Sequence, residues 1–204
     1  IISHYGRGFV KLQVGETVIA LNPGLPSAGF KSAKFGSQLA LISLHDPAYN
    51  AIDQVTYGER VPMVVDGPGE YEFGGIFVRG FAVAGPAGKI NTIYLVWWDE
   101  IRIVHLGALA VEVIPSELGE ALGTIDILFV PVAVDGLNPK TAARLAVGLE
   151  PRLIVPTEAG DDSNLRTFLK EVGASPDTRA VGSLTIKKKE LLLKEGEVAV
   201  IQSS

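Results

Sequence analysis

Two strongly β-prone runs, Asn91–Trp98 and Ile101–Leu106, are separated by nothing but Asp99-Glu100. So short a gap leaves room only for a tight reversal, so the runs read as an antiparallel hairpin. A further run, Ile127–Val134, is apolar throughout and reads as a buried strand. None of these segments approaches the ~18 apolar residues that a membrane helix needs. They must be buried against one another inside a globular fold.

The rest of the chain supplies partners for them. Ile1–Tyr5, Phe9–Val14 and Thr17–Leu21, punctuated by Gly6, Gly8 and Gly15, read as a β-meander closed by the rigid loop Asn22-Pro23-Gly24-Leu25-Pro26. Ser32–Gln38 is polar and fits no element clearly. The apolar run Leu39–Ile42 then stops abruptly at Ser43-Leu44-His45-Asp46-Pro47-Ala48-Tyr49-Asn50, the way a buried strand delivers side chains to a site at its end. Gln54–Tyr57 and Pro62–Val65 read as short strands. Asp66-Gly67-Pro68-Gly69-Glu70 is a tight turn without the pattern of a phosphate-cradling loop. Gly74-Gly75 is a second turn, Ile76–Ala84 a strand and Gly85–Gly88 a loop.

After Leu106 the pattern changes. Pro115-Ser116-Glu117-Leu118 opens a short helix with Ser116 as its N-cap, and Asn138-Pro139 opens one that runs to Leu149. Leu153–Pro156 is a strand and Asn164–Val172 a helix. Thr185–Ile186, Leu191–Leu193 and Val198–Ile201 close the chain as strands. The order is β-rich, then βαβα, then β. Two sheets in the middle with helices outside, in a single domain spanning 1–204, is the economical α/β (α+β) arrangement.

Composition removes several chemistries. The chain has 204 residues, 47% hydrophobic and 20% charged, which is ordinary for a soluble globular protein. A net charge of −5 offers no basic field for nucleic acid, so such a partner is not expected. There is no cysteine, and with it go disulfides, thiolate metal sites and a cysteine nucleophile. Ile1–Arg7 lacks a basic stretch followed by an apolar core, so no secretory leader, no membrane association and a cytoplasmic location are expected. Trp97 and Trp98 alternate along one strand, so one faces the core and the other a surface or partner. With a mean hydropathy of +0.29, this points to a homo-oligomer.

Several side chains admit a chemical role beside a plain one. His45 and Asp46 form either an acid–base pair or a loop histidine beside a turn-initiating Asp-Pro. Glu158, Asp161 and Asp162, with Asp46, either hold a hard cation or form a solvated acidic loop in which Asp162 or Ser163 caps the next helix. Tyr49 and Asn50 either line a pocket or close a loop. His4 and His105 lie in or at the ends of strands and read as structural. Lys187-Lys188-Lys189 with Lys194 reads as a solvated edge strand, or less readily as an anion contact.

Five stretches together resemble the metallo-β-lactamase superfamily, in its small bacterial branch of Zn-dependent hydrolases. They are Asp66-Gly67-Pro68-Gly69-Glu70-Tyr71-Glu72, Asn91-Thr92-Ile93-Tyr94-Leu95, His105-Leu106-Gly107, Asp126-Ile127-Leu128-Phe129-Val130-Pro131 and Leu149-Glu150-Pro151. The resemblance covers nearly the whole chain and implies a four-layer αββα sandwich. It also implies a dinuclear zinc site on the family motif S-H-x-H-x-D-H after a buried strand. Here Ser43 matches, but the ligand positions hold Leu44, Asp46, Ala48 and Tyr49, and His45 falls on a spacer. Ala108 stands where H-L-G-D would end in a bridging aspartate, and Glu158 where P-x-H would end in histidine. Asn22 replaces an early aspartate, and Arg7 the histidine of an early G-H.

The resemblance therefore implies the fold with its metal ligands missing, and no cofactor is expected. Three functional readings follow. The first is a metal-free protein, a pseudoenzyme acting by binding or assembly, with Leu44, Asp46, Ala48, Tyr49, Ala108 and Glu158 as vestigial positions. The second is a hydrolase of a phosphodiester or lactone with an atypical site built from His45, Asp46, Glu158 and Asp161. The third is a nucleic-acid-associated protein, favoured only by the lysine run.

Overall fold

The computed structural model describes residues 1–25 and 33–203, so Pro26 of the first loop and Ser32 of the ambiguous stretch fall outside it. Strands β1 (Ile2–His4), β2 (Val10–Val14), β3 (Thr17–Leu21), β4 (Leu39–Leu41) and β5 (Met63–Val65) form one sheet in that order. The first three are an antiparallel meander, while β3, β4 and β5 run parallel. The second sheet contains β6 (Gly69–Phe73), β7 (Ile76–Ala84), β8 (Ile90–Trp98), β9 (Ile101–His105), β10 (Ile127–Pro131), β11 (Leu153–Thr157) and β12 (Glu197–Val198). From β6 to β9 it is an antiparallel meander; from β9 to β12 it is parallel.

The hairpin from β8 to β9 turns on Asp99 and Glu100, whose φ values of 51° and 62° are both left-handed. Two such residues make the reversal whose twist matches the flanking strands. The β6–β7 hairpin places Gly74 and Gly75 at the equivalent positions, where that conformation carries no Cβ strain.

The sheets face each other over Val10, Leu12, Ile19, Leu39, Leu41, Val78, Tyr94, Val96, Phe129 and Val155. The outer face of the second sheet buries Ile93, Val104, Leu128 and Ile154 under α1 (Ser116–Leu122), α2 (Pro139–Gly148) and α3 (Asp162–Glu171), which contribute Leu122, Ala142, Ala146 and Phe168. Outside the first sheet the described cover is lighter. Tyr5, Phe9 and Phe35 stack with Ile52 and Val55 around a 3₁₀ turn at Ile52–Gln54. This is the αββα layering, with its first outer layer reduced to a turn and an aromatic cluster among the described residues.

Helix boundaries follow their caps. The Asn138 side chain accepts hydrogen bonds from the Lys140 and Thr141 amides, with Pro139 in the first turn. Asp161, not Asp162 or Ser163, caps α3 by accepting from the Asn164 amide. Ser116 is already inside α1; Pro115 holds the cap position, and no side chain serves as cap there. Gln54–Tyr57 is not a strand, since the 3₁₀ turn consumes its start and Tyr57 makes only an isolated bridge to Arg60.

The C-terminal segment departs most from expectation. Thr185–Ile186 lies outside any strand, and Leu191 ends a helical turn, α4 (Lys188–Leu191), with Leu192 as its C-cap. The lysine run is therefore no edge strand. Lys188 Nζ reaches 2.6 Å to Oδ2 of the buried Asp126, which also accepts from the Arg102 amide, while Arg152 Nε lies 3.3 Å from Oδ1. A buried carboxylate needs such partners, and here they fasten α4 to the start of β10. Asp126→Asn should cost about 2–3 kcal/mol in urea unfolding, because both cations are half-exposed and can return to water. Faster amide exchange confined to residues 187–203 would accompany it, and an unchanged midpoint would refute the anchoring role.

Candidate functional site

The carboxyl ends of β4, β9, β10 and β11 meet at one edge of the sandwich, where loops from both sheets converge. Open α/β sheets place ligands at such edges. The exit of β4 is held firmly. The Tyr94 hydroxyl, buried in the second sheet, donates to the Ile42 carbonyl at 2.8 Å and the Val65 carbonyl at 3.1 Å. Asn22, at φ 48°, accepts the Ser43 amide at 2.8 Å and donates to Ser43 Oγ at 2.8 Å. Asn91 does the same for the loop after β9, donating to the Leu106 carbonyl at 2.9 Å and accepting from the Ala108 amide at 2.8 Å.

These two clamps touch at Gly107. Its φ is +65°, and a Cβ there would lie 2.5 Å from both Ser43 Oγ and Asn91 Oδ1. Only glycine allows the loops of the two sheets to come this close.

Within this frame the expected ligand positions are packed. Leu44, Tyr49 and Ala108 form a buried apolar cluster, with Ala48 against it. Tyr49 Oη donates to Glu158 Oε2 at 2.7 Å. Glu158 is buried and sits at φ 51°; its amide donates to the Arg7 carbonyl at 3.3 Å and its carbonyl accepts from the Ala133 amide at 3.0 Å. Its other oxygen, Oε1, faces Gly8, whose missing Cβ would lie 2.8 Å away, and has no hydrogen-bond partner among the described residues. Burial pushes the Glu158 carboxyl up to about 7, against the opposing pull of the Tyr49 hydroxyl and the Arg7 charge. Burial, then the neighbouring Glu158 charge, raises the Tyr49 phenol as well.

The remaining sequence candidates are placed as follows. Asp46 accepts from the Ala48 amide at 3.1 Å and pairs with Lys89 Nζ at 2.7 Å, and that ammonium holds its carboxyl below the usual range. His45 turns outward, its side chain 68% exposed, and Nε2 lies 2.9 Å from the Asp66 carbonyl. Asp161 is fully exposed, and the Asn164 amide and Ser163 hydroxyl hold its carboxyl low. Asn50 bonds back to the Asp46 carbonyl through its amide. His105 is buried, and burial holds its imidazole down at about 4, so it is neutral near pH 7. His4 is lowered by burial too, with Nε2 2.6 Å from the Arg7 carbonyl. Among the described residues, no group of three or more His, Cys, Asp or Glu side chains is arranged to hold a metal ion.

Sequence reasoning missed the Tyr49–Glu158 bond and the Asn22 and Asn91 clamps. A usable signal existed for the first. Two positions that the resemblance assigns to one metal cluster must lie within bonding reach of each other once the metal ligands are replaced.

A family model for the beta-lactamase superfamily domain matches residues 2–158. No curated protein sequence matches the chain. Among solved structures, a protein from Thermotoga maritima named for the Zn-dependent hydrolases of the metallo-β-lactamase superfamily is 24% identical, with a TM-score of 0.74. The match covers 98% of this chain and 96% of that one. Igni18, a metallo hydrolase from Ignicoccus hospitalis, is 11% identical with a TM-score of 0.64, covering 99% and 94%. YhfI from Bacillus subtilis, a metallo-β-lactamase fold protein, is 12% identical with a TM-score of 0.61, covering 100% and 95%. At these identities the structures establish the shared fold.

The donor set does not fit the zinc pair that the fold implies. Zinc takes at least three nitrogen, sulfur or carboxylate ligands from protein. Leu44, Ala48 and Ala108 offer none, and the Tyr49 hydroxyl is already bonded to Glu158.

The raised Glu158 carboxyl gives a signed expectation. An unfolded glutamate titrates near 4.5, so the stability linked to the folded, protonated acid is fully present below that value and lost as pH rises through about 7. Glu158→Gln keeps the shape and an acceptor for Tyr49 but removes the titration. Between pH 5 and pH 8 the wild type should lose about 2–3 kcal/mol of unfolding free energy relative to Glu158→Gln. His105 acts oppositely, its linked stability being lost as pH falls from the ordinary imidazole value through about 4, but it is common to both proteins and cancels. A pH-independent difference would contradict a buried, titrating Glu158.

Proposed function

Because the chain belongs to the beta-lactamase superfamily, we propose that it is a metal-free member of that fold which acts by binding or assembly, and not by metal-assisted hydrolysis. The observation that carries this reading is the apolar filling of the site by Leu44, Tyr49 and Ala108, with the Tyr49–Glu158 hydrogen bond beside it. Metal-assisted hydrolysis needs ligands that hold the ion and an open position for water. The filled site supplies neither. The reading of a hydrolase built from His45, Asp46, Glu158 and Asp161 gains no comparable support, because His45 points outward to Asp66 and Asp161 is occupied as a helix cap. Nucleic-acid association gains none from Lys188, which is bound to Asp126.

The test is elemental analysis of protein purified with and without added zinc and manganese. Well under one metal ion per chain is expected in both. Stoichiometric metal that disappears in His45→Ala would overturn the proposal.

For the assembly role we propose a second copy of the chain as the partner. Phe77 and Trp97 sit opposite each other on β7 and β8, 50% and 53% exposed, with ring centroids 6.1 Å apart. Side-by-side exposed aromatics are enriched in the buried cores of interfaces. Light scattering should give a multiple of the 21.6 kDa chain mass, reduced to one chain by Trp97→Asp. A wild type that is monomeric at micromolar concentration would rule this partner out.

A further inference from the structure

At the opposite ends of β9 and β10 from the filled site, the two sheets part around a cleft of about 300 Å³. Its walls are mostly hydrocarbon, with Gln13 among them. Leu12 comes from the first sheet, Ile103 and Ile127 from the second, and Trp98 and Ile186 line it nearer solvent. Protein interiors rarely leave apolar space of this size unfilled, and the volume lies at the lower end of the range for ligand sites, about 300–1,000 Å³.

The rim is polar and its charge is lopsided. Lys187 and Lys188 line it against a single carboxylate, Asp99. Lys188 is held by Asp126, but that carboxylate also carries Arg152, so the cluster remains net positive. Lys187 is exposed and has no ion pair among the described residues. In a chain of net charge −5, a basic rim on a hydrocarbon slot is a local feature that favours one kind of ligand.

We propose that this cleft binds one aliphatic chain bearing an anionic head group, the chain lying between the sheets and the head meeting Lys187. At roughly 30 Å³ for each water-sized unit, the volume suits a chain of about ten carbons. Apolar burial supplies affinity, and the lysine fixes the orientation of the chain. The proposal stands apart from the metal-free reading, since the two places share no residue.

Isothermal titration calorimetry of the intact chain with decanoate, below its micelle concentration, tests it. Saturable binding of one decanoate per chain is expected, with decanol at least ten-fold weaker and acetate showing no heat. Lys187→Glu, a surface change that leaves the walls intact, should weaken decanoate at least ten-fold and leave decanol unchanged. Ile101→Trp, which fills the cleft from its edge, should abolish both, with folding checked by circular dichroism. Absence of saturable decanoate binding, equal affinity for decanol, or indifference to Lys187→Glu would each overturn the proposal.

Discussion

The edge at which the strands of both sheets end is closed by one buried hydrogen bond, from Tyr49 Oη to Glu158 Oε2 at 2.7 Å. It joins the loop after β4 in the first sheet to the loop after β11 in the second. The resemblance assigns both positions to metal ligands, so an ion would do this joining in a metal-holding member. Removing the ion without replacement would leave two loops with polar groups facing each other out of reach of water, at a cost of about 1–3 kcal/mol for each unsatisfied group. A tyrosine that donates and a carboxyl raised to about 7 satisfy one another instead. Leu44 and Ala108 fill the remaining space with groups that need no partner.

Loss of ligands and retention of scaffold are separable because different residues do the two jobs. Gly107, Ser43, Asn22 and Asn91 hold the loops in close approach through side-chain bonds to backbone and to each other. A Cβ at Gly107 would strike Ser43 and Asn91 whether or not a metal lay nearby. That constraint keeps the Gly107 stretch recognisable in the sequence while Ala108, one residue on, is free to be apolar. An architecture can thus remain legible after the chemistry it resembles has gone.

Hairpins and capped helices were legible because their determinants are local. Asp99-Glu100 fixed the β8–β9 reversal, and Asn138-Pro139 the start of α2. What escaped was non-local. The Lys188–Asp126 pair spans 62 residues and the Tyr49–Glu158 pair 109. Leu191–Leu193 suits a strand or a helical turn equally in isolation, and the anchoring of Lys188 goes with the helical turn. His45 shows the limit from the other side. The resemblance places it on a spacer between Leu44 and Asp46, where the chain bends and the Asp46 amide donates to the Leu44 carbonyl at 2.8 Å. That turn leaves Leu44 buried and His45 facing out to Asp66.

The two ends of the sandwich have been resolved in opposite senses. At the carboxyl ends of the parallel strands, polar ligand positions have become apolar or paired, which exchanges a costly set of buried charges for packing. At the other end, largely apolar walls border space that no described side chain fills, and the basic groups stay at the rim where water can reach them. The packed end and the end with the gap are each tied across by a buried carboxyl. Asp126 ties the open end through Lys188 and Arg152, as Glu158 ties the closed one through Tyr49. Each is a buried carboxyl with a different solution to its charge. Asp126 is set against two cations, whereas the carboxyl of Glu158 is raised by burial toward its neutral form.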